Sequence, residues 1–186
     1  MATKEILRSD VKRQFLNLSR TEYQLRSKQV QAALLADPAW QRADMIGLTV
    51  STPQEIDTYG LLEAAWASGK RTAVPKADAE HKSLAFYEIK DFDELSPAFA
   101  GILEPKASRE KYVAAQRLEL LVVPGFVFDA KGYRIGFGGG FYDRFLAEHK
   151  IPSCSIGLNF QYVDRLEPEV HDMPVDQVFI EGKEEL

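Results

Sequence analysis

The chain has 186 residues, 45% of them hydrophobic, which is enough for one sizeable core and, by length, for one domain. A net charge of −5 at pH 7 and a pI near 5.3 argue against a broad nucleic-acid-binding or membrane-binding surface and favour a small partner. The single cysteine, Cys154, excludes an internal disulfide, and its apolar setting, Cys154-Ser155-Ile156-Gly157-Leu158, reads as a buried strand thiol rather than a catalytic one. No apolar leader is evident and no run approaches the about 18 apolar residues of a membrane span, so the expected compartment is the cytoplasm.

Residues 3–18 place Ile6, Leu7, Val11, Phe15 and Leu18 at three- and four-residue steps, the pattern of a helix with one buried stripe. Lys4 and Arg8 share another face one turn apart. By spacing alone they are solvated charges, although together they could grip a phosphate. Ser19 followed by Glu22 forms a capping-box pattern, so a second helix is expected from Thr21 to Leu35, with Asp37-Pro38 as its stop. Met45 to Val50 suits a strand. Ser51-Thr52-Pro53-Gln54-Glu55 then reads as a helix start, with Thr52 as cap and the Glu55 carboxylate folded back on it. That helix closes at Gly69, and Thr72 to Pro75 is another strand, which completes a β-α-β unit. Such units build parallel sheets that bind ligands beyond the carboxyl ends of their strands, where Glu55 and Lys76 are expected.

Leu84 to Ile89 reads as a strand, Lys90 to Ser108 as irregular, and Arg109 to Arg117 as a short helix or loop. Further strands are expected at Ser153 to Leu158 and Gln177 to Ile180, separated by a polar segment. No apolar helix face is left over for a partner, so a monomer is expected.

The most informative stretch is Glu119 to Leu146, ELLVVPGFVFDAKGYRIGFGGGFYDRFL. The apolar run Leu120-Leu121-Val122-Val123, stopped by Pro124-Gly125, suits a strand buried on both faces. After a turn at Asp129-Ala130-Lys131-Gly132 come Arg134 and the glycines Gly136, Gly138, Gly139 and Gly140, then a helix from Phe141 to His149. Glycines before a helix expose backbone N–H groups and admit a bulky anion close to the main chain. The common dinucleotide and P-loop glycine patterns both fail at Phe141. A turn whose glycines serve geometry alone is the plain alternative. Arg134 and Asp143 on its two sides favour phosphate, since arginine forks onto phosphate oxygens and a carboxylate can hold Mg²⁺.

His81, His149 and His171 never pair at zinc-ligand spacing, and no serine-nucleophile elbow is present. The stretch nevertheless resembles, along nearly the whole chain, the 5-formyltetrahydrofolate cyclo-ligase (5,10-methenyltetrahydrofolate synthetase) family. The resemblance rests on Val123-Pro124-Gly125, the block from Asp129 through Asp143, and His171-Asp172 to Asp176. Lys4 and Arg8, Glu55-Ile56-Asp57-Thr58, Gly101 to Pro105 and Phe160-Gln161 add to it.

The resemblance implies an α/β fold with an open, mostly parallel sheet flanked by helices, Rossmann-like and similar to sugar-phosphate isomerases and coenzyme A transferases. It implies ATP as co-substrate, held by Lys4, Arg8, Arg134, Gly136, Gly138, Gly139, Gly140 and Tyr142, with Arg134 and Tyr142 acting in catalysis. Mg²⁺ would be held by Asp143 and Asp172. A reduced folate would meet Val50, Glu55, Phe137, Gly139 and Phe141. Many relatives carry Arg where this chain has Phe137 and Lys where it has Gly139, which leaves Arg144 to compensate or lowers nucleotide affinity. Two other classes stay open on sequence: a metabolic enzyme of the same fold that does not hydrolyse ATP, and a non-catalytic folate- or nucleotide-binding module.

Overall fold

The structure is a computed structural model, and residues 3–98 and 101–183 are described. Helix α1 (Lys4–Asn17) is capped by the Thr3 hydroxyl, which accepts the N–H of Ile6, and it buries Val11 and Phe15. Helix α2 (Arg20–Ala36) carries the expected capping box, with Ser19 and Glu22 each bonding the other's backbone. Asp37 both ends α2 and caps a short helix, α3 (Pro38–Arg42), which the sequence reading did not expect. The same Asp-Pro pair that stops one helix supplies the cap and first residue of the next.

Seven strands form one sheet in the order β11-β10-β7-β1-β2-β3-β6. Strands β1 (Met45–Leu48), β2 (Arg71–Asp78), β7 (Leu120–Val122), β10 (Ser153–Gly157) and β11 (Gln177–Ile180) run parallel to their neighbours within that set. Strands β3 (Ser83–Ile89) and β6 (Tyr112–Val113) complete one edge in antiparallel register. The central strands are buried on both faces. Leu120 and Val122 pack with α1, α2 and helix α4 (Tyr59–Ala67), whereas Leu121 and Val123 pack with helix α5 (Phe141–Glu148). The layers are therefore helices, mostly parallel sheet and helix, as the sequence suggested. No helix of the described residues is long and apolar enough to cross a membrane.

Three local expectations are corrected. The helix expected from Thr52 begins at Tyr59, where Asp57 Oδ1 and Oδ2 accept the N–H groups of Tyr59 and Gly60. Thr52 to Glu55 forms an isolated turn instead. Lys76 does not lie beyond a strand end: β2 continues to Asp78, and Lys76 sits opposite Ala85 on its exposed side. The irregular segment holds a small hairpin, β4 (Leu95–Pro97) with β5 (Leu103–Pro105), around residues 99–100, which lie outside the described set.

The glycine stretch leaves the sheet through a two-strand ribbon, β8 (Val127–Phe128) with β9 (Arg134–Ile135). Buried Asp129 closes its turn: Oδ1 accepts from the N–H groups of Lys131 and Tyr133, and Oδ2 from that of Leu166 in the tail segment. At Gly132, φ is +82° and a Cβ would sit 2.1 Å from the Val175 carbonyl oxygen, so only glycine lets the tail approach. Asp129→Ala would strand three backbone N–H groups. We expect it to lower unfolding stability by about 3 kcal/mol, read as a lower urea midpoint at unchanged m value. A midpoint equal to the parent's would contradict this role for Asp129.

Candidate active site

The carboxyl ends of β1, β7 and β10 open on a narrow cleft of about 20 Å³, lined by Thr49, Ser51, Glu55, Ile56, Thr58, Val122 to Gly125, and Ile156. Glu55 is 8% exposed. Its Oε2 accepts from the Thr52 N–H and from the Thr52 hydroxyl, both at 2.8 Å, and among the described residues Oε1 has no protein donor. The carboxylate thus folds back on Thr52 as expected, though within a turn. Burial pushes its pKa above the ordinary 4.5, against the lowering effect of the two Thr52 bonds.

Tyr142 stands in the first turn of α5, directly after the glycine loop. Among the described residues its hydroxyl is the one buried side-chain polar atom with no hydrogen-bond partner. Burial raises its pKa, the nearby Glu55 charge adds to that rise, and Arg134 opposes it. A buried hydroxyl without a protein partner, within the electrostatic influence of a carboxylate and a guanidinium, can donate to a polar ligand group.

Arg134 has a side chain only 3% exposed. One end of its guanidinium donates to the Met173 carbonyl at 2.6 Å and the other to Asp143 Oδ1 at 3.0 Å. Asp143 Oδ1 also accepts the Met173 N–H. Burial lowers the Arg134 pKa, while the charges of Asp143 and Asp172 act to raise it.

The glycine loop between β9 and α5 is held from both sides. Arg8 Nε donates to the Gly136 carbonyl at 2.7 Å and its guanidinium lies against Gly138, where φ is +94°. Arg144 donates to the carbonyls of Gly139 and Gly140, so it acts as a loop clamp. Gly140, at φ +67°, is the left-handed residue that opens α5. A Cβ on Gly139 would meet the Phe141 ring at 2.5 Å. Phe137 is 53% exposed and packs edge-on against Phe126.

Across the loop, Lys4 Nζ pairs with Glu169 Oε1 at 2.7 Å and Asp172 Oδ2 at 3.1 Å. Burial works to raise the Asp172 pKa, but the Glu169 N–H and Lys4 outweigh it and hold the carboxyl below its usual value. The structure therefore gathers Lys4, Arg8, Arg134, Tyr142, Asp143, Asp172 and Gly136 to Gly140 into one region from both ends of the chain. Val50 does not line the cleft: its side chain is buried in the core, and its neighbours Thr49 and Ser51 face the cavity. Among the described residues no three His, Cys, Asp or Glu side chains converge as a self-sufficient metal site. Asp143 Oδ2 has no hydrogen-bond donor among the described residues, and Asp172 Oδ1 faces only the exposed His171 ring, at 3.8 Å. Two hard oxygen donors fit Mg²⁺, which keeps waters and takes substrate phosphates for the rest of its shell.

The sequence model of the 5-formyltetrahydrofolate cyclo-ligase family matches residues 1–181. The chain belongs to the 5-formyltetrahydrofolate cyclo-ligase family. It is 29% identical over 170 residues to the 5-formyltetrahydrofolate cyclo-ligase of Escherichia coli K12, covering 89% of this chain and 93% of that one. To the Haemophilus influenzae cyclo-ligase it is 32% identical over 145 residues, 75% and 77% of the two chains. The solved structure of Aquifex aeolicus 5,10-methenyltetrahydrofolate synthetase superposes with a TM-score of 0.83 at 29% identity, covering 97% of this chain and 90% of the other.

Within this cyclo-ligase fold, the sequence reading missed Met173 and Glu169. The first acts through its backbone and the second is an exposed tail carboxylate, so neither leaves a residue-type signal. The buried charge of Glu55 has a measurable cost. Its folded-state pKa lies above the unfolded value, so the folded chain holds the proton more tightly, and ionisation costs stability at every pH above the unfolded value. Glu55→Gln is therefore expected to raise Tm at neutral pH and to lose that advantage as the pH falls toward 4.5. A variant less stable than its parent at neutral pH would contradict the assignment.

Proposed function

We propose that the protein converts 5-formyltetrahydrofolate to 5,10-methenyltetrahydrofolate with ATP and Mg²⁺, releasing ADP and phosphate, and that it does so as a cytoplasmic monomer in which the whole chain serves one site. The observation that carries this reading is the buried Tyr142 hydroxyl, without a partner among the described residues, at the start of the helix that follows a glycine loop held by Arg8 and Arg144. Family membership names the chemistry such a site would serve.

The chemical difficulty is that an N5-formyl group is an amide, and its oxygen is a poor leaving group when N10 attacks the formyl carbon. Phosphorylation removes the difficulty. The formyl oxygen attacks the γ-phosphorus, and the bond to ADP breaks. N10 then closes on the formyl carbon, phosphate departs with the former formyl oxygen, and N10 gives up its proton. No covalent enzyme intermediate is needed, which agrees with a buried, unactivated Cys154 thiol.

What the chain must do is position and stabilise charge. Glu55 Oε1 would accept N–H groups of the pterin, with Phe137 and Phe141 against the rings, close main-chain approach at Gly139, and Val50 contributing only backbone. Lys4, Arg8 and Arg134 would meet ATP phosphates over the Gly136 to Gly140 backbone at the start of α5. Tyr142 would donate its hydroxyl to an oxygen of the reacting group. Mg²⁺, held by Asp143 and Asp172, would neutralise phosphate charge. Because Lys4 is already paired with Asp172 and Glu169, nucleotide binding exchanges those partners rather than filling bare charges.

Mixing the protein with Mg-ATP and 5-formyltetrahydrofolate should produce the methenyl chromophore. Bound ATP without a chromophore would favour the binding module, and isomerase activity without either would favour the rival enzyme class. In the active protein, Arg134→Ala should lower kcat by about 10²-fold or more, because a charge-assisted contact in a water-poor site is worth a few kcal/mol. Near-parental kinetics would remove Arg134 from the phosphate site.

A further inference from the structure

Residues 49–58 carry Glu55 yet form no helix or strand. Part of their support is internal: the Glu55 N–H donates to the Thr52 carbonyl, the Thr52 N–H and hydroxyl donate to the Glu55 carboxylate, Ser51 and Thr58 exchange hydrogen bonds between backbone N–H and side-chain hydroxyl, and the Thr58 hydroxyl donates to the Thr49 carbonyl. Bonds from outside the segment come from one face of α2. The Tyr23 hydroxyl donates to the Glu55 carbonyl at 2.9 Å. The Ser27 hydroxyl accepts the Asp57 N–H at 3.4 Å, and Gln31 Nε2 donates to the Asp57 carbonyl at 2.6 Å and to Asp57 Oδ2 at 3.1 Å. Tyr23, Ser27 and Gln31 stand at four-residue steps, so they lie in one row along the helix.

The row is buried where polar side chains are uncommon: Ser27 is 0% exposed and Gln31 5%. Helix α4 makes room for it. A Cβ on Gly60 would stand 2.6 Å from Gln31 Oε1, so the glycine in the first turn of α4 is the slot that admits the Gln31 amide. Glycine inside a helix is otherwise unfavourable relative to alanine. The slot and the amide it receives thus form one device, aimed at the segment that holds the carboxylate.

We propose that Tyr23, Ser27 and Gln31 are positioning residues that set where Glu55 presents its carboxylate, and so govern affinity for the reduced folate while leaving nucleotide affinity untouched. The inference rests on the cyclo-ligase reading, in which Glu55 meets the folate and the cations around the glycine loop meet ATP. None of the four bonds reaches that loop, and all of them end on the Glu55 segment.

The test is steady-state kinetics with each substrate varied in turn. Tyr23→Phe keeps the ring against Phe15, where the centroids are 6.4 Å apart, and removes only the hydroxyl. Its KM for 5-formyltetrahydrofolate should rise by about 3- to 10-fold, the range for one lost hydrogen bond, with the KM for ATP and kcat at saturating folate within about 2-fold of the parent. Gln31→Ala and Gly60→Ala should give the same split. The double variant should be no worse than Gln31→Ala alone, since both changes remove one contact.

Gly60→Ala displaces the buried Gln31 amide and should lower Tm, since the polar contacts it strands outweigh the gain in helix propensity. The readout that a merely structural role would not move is the split itself, a rise in the folate KM with the KM for ATP unchanged. Equal rises in both KM values, a fall in Tm with unchanged KM, or additive effects in the double variant would overturn the proposal. Should Gln31→Ala fail to fold, Tyr23→Phe and Gly60→Ala decide the matter by the same split. A parent that makes no methenyl product would sink the underlying reading, and the proposal with it. An active parent whose variants show no split overturns the positioning role alone.

Discussion

Arg134 is a cation almost without solvent, and the geometry around the glycine loop depends on how its charge is matched. Its guanidinium joins three separate pieces of chain: β9, which carries it; α5, through Asp143; and the tail segment, through the Met173 carbonyl. A buried guanidinium is stable only when its donors are paired, so these pieces cannot drift apart without stranding a charge. Because Asp143 also takes the Met173 N–H, the tail is fixed on both its donor and acceptor sides. The loop between β9 and α5 is then short and anchored at both ends, and Arg8 and Arg144 hold its carbonyls.

The same region carries polar groups that the fold alone would be better without. The Tyr142 hydroxyl is buried without a partner, and Glu55 is a buried carboxylate whose ionisation opposes folding. Glu55 lies where the parallel strands end, the position from which open α/β sheets bind ligands, and Tyr142 lies at the start of α5. Stability is traded locally for a site whose donors and acceptors are in place before the substrate arrives, which suits a reaction that needs alignment and charge stabilisation rather than a nucleophile.

Local signals in the sequence were strong wherever one segment determines its own structure. The capping box at Ser19 and Glu22, the doubly buried run at Leu120 to Val123 and the helix after Gly140 are all present, and the apolar stripe of α1 is buried at Val11 and Phe15 but exposed at Ile6. Thr52 and Glu55 mimic the same capping signal, but there the bonds close a turn. The following helix takes its cap from Asp57, and α2 holds the segment by side chains more than twenty residues away in sequence. Lys76 falls inside β2 because the antiparallel pairing of β2 with β3 lengthens the strand past the end that Pro75 suggests. The site is legible only in part for a related reason. Glycines, Arg134 and Asp143 are contiguous enough to suggest phosphate, whereas the meeting of Lys4 with Asp172 spans nearly the entire chain and could be anticipated only through the family resemblance.

The proposed function rests on activation of the formyl oxygen by phosphorylation. Its most direct measurement uses 5-formyltetrahydrofolate labelled with ¹⁸O in the formyl group, turned over with unlabelled Mg-ATP, followed by mass analysis of the released phosphate. Recovery of the label in inorganic phosphate, in step with methenyl product, is the predicted result. Label found in water, with unlabelled phosphate, would contradict the account.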